Sequence, residues 1–105
     1  MEEYIPEKYT VLVLTKFFDR MKGFLAKRPQ GCILLISPCD SIHTFGMRCN
    51  LDVAFFNDEG VVIRSEISVH PKRFLRCRGA RGVLEKHSSV NESWYREGQR
   101  VTLCI

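Results

Sequence analysis

The chain has 105 residues and a formal net charge of +4, so it is the size of one domain and only mildly basic. Hydrophobic residues make up 45% and charged residues 27%, ordinary values for a globular protein able to bury one core without staples. The charge admits an anionic partner without demanding one, because dedicated nucleic-acid binders concentrate more of it.

The start, Met1-Glu2-Glu3-Tyr4, is acidic and lacks a basic segment followed by an apolar one, so no secretion signal is expected. No apolar run approaches the roughly 20 residues of a membrane span, and no membrane partner is expected. The five cysteines are Cys32, Cys39, Cys49, Cys77 and Cys104, an odd number without CxxC spacing. The expectation is a reducing, cytoplasmic setting with free thiols.

Tyr9 to Leu14 is an apolar, β-branched run and reads as a buried strand. Thr15 offers a cap. Phe17, Phe18, Met21, Phe24 and Leu25 then recur at helical spacing, with Lys16, Asp19, Arg20 and Lys22 opposite, which predicts an amphipathic helix ended by Pro29. Cys32 to Ile36 is a second apolar strand, followed by turn chemistry at Ser37 to Ser41. Ile42 to Cys49 alternates, which predicts a strand with His43, Phe45, Met47 and Cys49 on one face. Leu51 to Phe56 and Val61 to Val69 flank Asn57-Asp58-Glu59-Gly60 and read as a hairpin. Lys72 to Arg81 reads as an irregular basic stretch, and Gly82 to Glu85 as a short strand. Ser89-Val90-Asn91-Glu92 matches a capping box and predicts a short helix through Trp94. Arg100 to Ile105 closes as a strand.

Together these elements predict a single mainly β domain over 1–105. It would be a β-sandwich or distorted barrel of about six to eight short strands, with a small N-terminal helix and a short C-terminal helical turn. Phe17, Phe18, Met21, Leu25, Leu34, Phe45, Val53, Phe55, Ile63, Leu84 and Trp94 are the expected core.

Ser41 to Phe56 (SIHTFGMRCNLDVAFF) contains a Phe-x-Met-Arg element followed by Leu-Asp and an apolar strand. That segment resembles the signature of domain-of-unknown-function family 192, a group of bacterial and archaeal domains. Arg20 to Leu25, Gly31 with its following strand, Asp58 to Val62, Ala80 to Glu85 and Gly98 to Val101 resemble its other elements in order. The resemblance implies a compact β fold with a small helix near the N-terminus, and brings no activity, cofactor or catalytic residue. Two positions depart from the pattern: Cys49-Asn50 stands where many members have Phe-Pro, and Gly98-Gln99 where they have Gly-Asp.

Asp52 is the most informative single residue, because a carboxylate at the start of an apolar strand needs a partner. Arg48, four residues earlier, is the expected partner, with Arg20 as the alternative. The pair would be a pinned turn, or an anion clamp at a ligand site. The candidate binding surface is therefore His43, Thr44, Phe45, Met47, Arg48 and Asp52, serving an unknown small molecule or a protein partner in a non-catalytic binding or assembly module, monomer or dimer. The first alternative is a nucleic-acid-binding accessory protein acting through Lys72, Arg73, Arg76, Arg78 and Arg81, five cations in ten residues around Phe74. No RNP-type motif or recognition helix accompanies them.

The second alternative is a hydrolase-like enzyme using Cys39 or Asp52 with His43, since an imidazole lowers a thiol's pKa. No third orienting group accompanies that pair. Cys39, His43, Cys49 and Asp52 do not have the closely spaced pairs of a structural zinc site, so no metal ligand, catalytic residue or cofactor is assigned. GxGxxG, P-loop, GxSxG and HExxH motifs do not occur in the sequence.

Overall fold

A computed structural model of the chain describes residues 10–14, 32–89 and 93–101. Seven strands run through them: β1 Thr10–Leu14, β2 Cys32–Ile36, β3 Ser41–His43, β4 Leu51–Phe56, β5 Val62–Val69, β6 Phe74–Arg76 and β7 Gly82–His87. The protein is mainly β, as its patterning predicts. The helix expected over Phe17 to Leu25, the capping-box residues 90–92 and residues 102–105 of the final strand lie outside the described residues. Ser93 and Trp94 have no regular structure.

Five strands form one sheet in the order β1-β2-β7-β4-β5. β1 and β2 are parallel, and the other neighbours are antiparallel. β3 and β6 form a separate two-stranded antiparallel ribbon.

The central strands are apolar on both faces, which is why LDVAFF and CILLI read as continuous runs rather than alternations. On one face Leu34, Ile36, Val53, Phe55 and Val83 pack with Ile42 and Leu75 of the ribbon, so the ribbon is laid over the sheet as a partial second layer. On the other face Ile33, Ala54, Val62 and Leu84 pack with Trp94 and Tyr95. The two rings meet edge-on at 5.1 Å and 77°.

The hairpin expected at Asn57 to Gly60 forms between β4 and β5. The Asn57 side-chain oxygen accepts hydrogen bonds from the backbone N–H groups of Glu59 and Val61, both at 3.0 Å. Gly60 supplies the required positive φ of 77°.

Three expectations need correction. The strand expected over Ile42 to Cys49 ends at His43, because Phe45 and Gly46 turn the chain, with Gly46 at φ 86°. Phe45, placed in the core by alternation, is therefore 54% exposed. The basic stretch is not wholly irregular: Phe74-Leu75-Arg76 is β6, whose only inward side chain is the 3% exposed Leu75.

Gly82 opens β7 where the sheet leaves no room for a side chain. A Cβ there would lie 2.8 Å from the Ile36 carbonyl oxygen and 2.5 Å from the Phe56 ring. Gly82→Ala is expected to destabilise the protein by about 1–3 kcal/mol through forced displacement of β2 or Phe56. An unchanged urea midpoint would show that the strands yield freely there.

Candidate functional site

Asp52 begins inside β4, with its side chain on the face opposite Leu51 and Val53. β7 pairs with β4 so that Lys86 stands directly across from it. The Lys86 Nζ donates to Asp52 Oδ2 at 2.9 Å, and both side chains are about as buried as the core, Lys86 at 2% and Asp52 at 3% exposure. The ammonium also lies 5.4 Å from the centroid of the Trp94 ring.

The other carboxylate oxygen has a second task. β5 carries an irregularity opposite Asp52, where the register passes from Leu51↔Val69 to Val53↔Glu66. There Ser68 adopts a positive φ of 53°, and its backbone N–H donates to Asp52 Oδ1 at 3.0 Å. A bulge normally leaves such a donor outside the ladder, and Asp52 satisfies it.

The ion pair expected between Asp52 and Arg48 is thus replaced by one with Lys86. Arg48 is exposed in the loop after the Phe45-Gly46 turn, while strand alternation carries the Asp52 carboxylate into the sheet. Lys86 was not singled out from the sequence. Its signal was present: it is two residues beyond the apolar Leu84 on a strand, so it shares that buried face.

The other candidates divide by burial. Thr44 is fully buried and joins the ribbon to the chain that precedes β6. Its hydroxyl donates to the His70 carbonyl at 2.8 Å and accepts from the Arg73 N–H at 2.8 Å. Its backbone N–H donates to the Arg73 carbonyl at 2.8 Å, and its carbonyl accepts from the Lys72 and Met47 N–H groups, both at 3.2 Å. Lys72 holds a positive φ of 67° in this clamp. Met47 packs partly buried against the core. Thr44, Met47 and Asp52 are therefore structural parts of the region.

Phe45 and Arg48 are exposed and His43 is half-buried, and the ribbon adds the exposed Phe74 and Arg76 to them. In register, His43 stands opposite Phe74, and Ser41 opposite Arg76. The inward positions of both strands are Ile42 and Leu75, so these four side chains share the outer face. The Phe45 ring lies 5.6 Å from the His43 ring at 50°. Phe74 is 62% exposed. The His43 Nδ1 is shielded from solvent and has no hydrogen-bond partner.

The remaining cations surround this face unequally. Lys72, Arg73 and Arg78 are exposed around β6, whereas Arg81 reaches toward Asp58 at 3.9 Å beside the β4–β5 hairpin. The ribbon is braced from below by Arg64, which donates to the Arg76 carbonyl at 2.8 Å and pairs through two nitrogens with Glu66. Parts of the two surfaces expected separately from sequence, His43 of one and Arg76 of the other, thus meet on one ribbon.

Cys39 does not fit a nucleophile. Its thiol donates to the Ser41 carbonyl at 2.9 Å. Burial pushes its pKa up, and the negative charges of Glu85 and Asp40 add to the effect. Among the described residues no three His, Cys, Asp or Glu side chains gather as metal ligands.

A family model described as DUF192, Uncharacterized ACR, matches residues 2–103. The chain belongs to this family. DUF192 supplies no activity to carry over. No curated protein matches the chain. Two solved structures share the fold. A protein from Sinorhizobium meliloti 1021, provisionally named a transcription regulator, has a TM-score of 0.63 at 17% identity, over 76% of this chain and 69% of its own. A protein of unknown function from Novosphingobium aromaticivorans has a TM-score of 0.65 at 15% identity, over 78% of this chain and 65% of its own. In the DUF192 sequence pattern, the Leu-Asp element corresponds here to the residue that satisfies Ser68 and Lys86 together. The Phe-x-Met-Arg element supplies one exposed ring, one packed thioether and one exposed guanidinium.

Two outcomes follow for the site. Lys86→Met and Asp52→Asn are each expected to destabilise by about 3–5 kcal/mol, because each breaks a buried ion pair by removing one member of it. The double variant should recover part of that loss, since Asn still accepts from Ser68, and urea unfolding of all four proteins measures it. A double variant as unstable as the sum of the singles would mean that the two residues do not act as a pair. Cys39 should alkylate more slowly at neutral pH than an ordinary free cysteine and accelerate only as pH rises beyond the usual thiol range. Peptide mapping after iodoacetamide treatment reads the rate, and fast labelling at pH 7 would show an activated thiol.

Proposed function

We propose that this DUF192 protein is a non-catalytic binding module whose binding surface is the outer face of the β3–β6 ribbon. The observation that carries the reading is the company kept by Phe45 and Phe74. Two exposed phenyl rings flank the His43 imidazole on a face that also displays Arg76, with Arg48 and Arg73 exposed nearby. Large exposed rings are costly to leave in water and are characteristic of recognition surfaces, as is Arg.

Such a face suits a ligand that is both anionic and flat. The rings offer stacking, and the guanidiniums offer paired hydrogen bonds to phosphate or carboxylate oxygens. A small molecule or a protein segment with that chemistry would satisfy the reading. Catalysis by Cys39 is disfavoured by the raised pKa of its thiol.

In the same reading the whole of 1–105 is one cytoplasmic domain and a lopsided sandwich. The ribbon is its short second sheet. The described residues contain no helix long and apolar enough to cross a membrane.

Adenosine monophosphate is a suitable first probe, being a flat anion. In a titration of isotope-labelled protein followed by NMR, the resonances of His43, Phe45, Phe74 and Arg76 should move together and saturate. Shifts confined to other parts of the sheet would remove the ribbon as the site.

A further inference from the structure

The ribbon carries its rings and its cation on successive rungs, and that order says more than the presence of a site. Its outer face is a ladder of two rungs, His43 opposite Phe74 and Ser41 opposite Arg76, with the Phe45 ring added beyond His43. Neighbouring rungs on one face of a strand are two residues apart, which is about 7 Å. Rings and cations are therefore spaced along a line rather than gathered in a cup. A line of this kind fits an extended chain of repeating flat and anionic units.

The charge around it has one sign. From His70 to Arg81 the chain contains five Lys or Arg and no Asp or Glu. Glu66, the acidic side chain bound to the ribbon's brace, is neutralised by Arg64 at 2.6 Å. Arg81 is drawn to Asp58, which leaves Lys72, Arg73, Arg76 and Arg78 on the ribbon side. Asp40, just before β3, and Glu97, whose charge is felt at Cys77, are acidic exceptions. The backbone that carries these cations is fixed by Thr44 at one end and by the Cys77 N–H to the Asp40 carbonyl, 2.8 Å, at the other.

We propose that the outer face of the β3–β6 ribbon binds single-stranded polynucleotide, with bases stacking on Phe45 and Phe74 and phosphates met by Arg73, Arg76 and Arg48. This deepens the reading of the ribbon as a binding surface and rests on it. A duplex hides its base faces in its own stack, so exposed rings favour an unpaired strand. Base stacking is tolerant of sequence, so no base preference is required. The polynucleotide is RNA or DNA; the shared chemistry is a phosphate chain with unpaired bases.

The test uses the full chain and fluorescein-labelled 15-mers of dT and rU, a 15-base-pair duplex and adenosine monophosphate, with binding read by anisotropy for the oligomers and by NMR for the nucleotide. The 15-mers should bind, tighter than the duplex and tighter than the mononucleotide, and binding should weaken steeply between 50 and 200 mM salt as phosphate contacts are screened. A preference between the two 15-mers identifies RNA or DNA as the source. Phe74→Ala should weaken oligomer binding about 5- to 100-fold, the range seen when a stacking ring is removed. Phe45→Ala should do the same, and neither should change the melting temperature, because both rings are exposed.

Arg76→Gln should reduce the slope of affinity against salt while leaving the ring effects intact. Undetectable oligomer binding at 50 mM salt, or binding by both Phe variants as tight as that of the unchanged protein, overturns the proposal. Mononucleotide binding at the ribbon without any gain from the 15-mers overturns it too, yet leaves the ribbon as a small-ligand site. Absence of both responses removes site and occupant together. A concentration-dependent dimer abolished by Phe74→Ala would assign the rings to self-association and likewise overturn it.

Discussion

The carboxylate of Asp52 is the point at which three strands of the sheet are tied. One oxygen takes the Lys86 ammonium from β7, the other takes the Ser68 N–H from β5, and the residue itself belongs to β4 between them. A charge with this little solvent is unfavourable alone, and so is a buried ammonium. Each is stable only when the strands are in one register, because a slip by one residue would send the two side chains to opposite faces. The apolar packing on both faces favours any compact arrangement of these strands. The ion pair selects among them.

The consequence extends to the edge of the sheet. Among the described strands β5 is the outermost beyond β4; residues 98–101 bond to the start of its outer side, and an even, flat edge beyond them would invite pairing with another chain. The irregularity at Ser68 twists that edge, and Asp52 makes the distortion stable by accepting the donor it strands. Ile67, beside it, is 68% exposed on the distorted segment. Further along β5, Arg64 and Glu66 turn toward the ribbon and support it from below. The same strand thus links the buried charge to the surface where binding is proposed.

Much of the fold was legible because it follows from short-range physics. Apolar runs without alternation gave β2 and β4, and Asn57 with Gly60 gave the hairpin. What the sequence concealed was long-range. Thr44 reads as one polar residue in an alternating stretch, and its alternation with His43 and Phe45 suggested a longer strand. Its real role is defined by His70 and Arg73, which are 26 and 29 residues away. The Phe45-Gly46 turn follows from that clamp, and so does the exposure of Phe45. Similarly, Asp52 announced that it needed a partner, and proximity in sequence suggested Arg48. The partner came instead from a strand 34 residues on, because a β-sheet places neighbours by pairing and not by order. The candidate site was half legible: its residues were mostly named, but as two separate surfaces, since nothing local reveals that β3 and β6 pair.

The ribbon is secured almost wholly through its backbone and through inward Ile42 and Leu75. Its outward positions, 41, 43, 74 and 76, carry little responsibility for holding the strands together. Chemistry on that side can therefore change without endangering the scaffold, and relatives with the same architecture are free to recognise unrelated molecules from the same place. On the proposed reading, shared shape in this family is a guide to where recognition happens, and a poor guide to what is recognised.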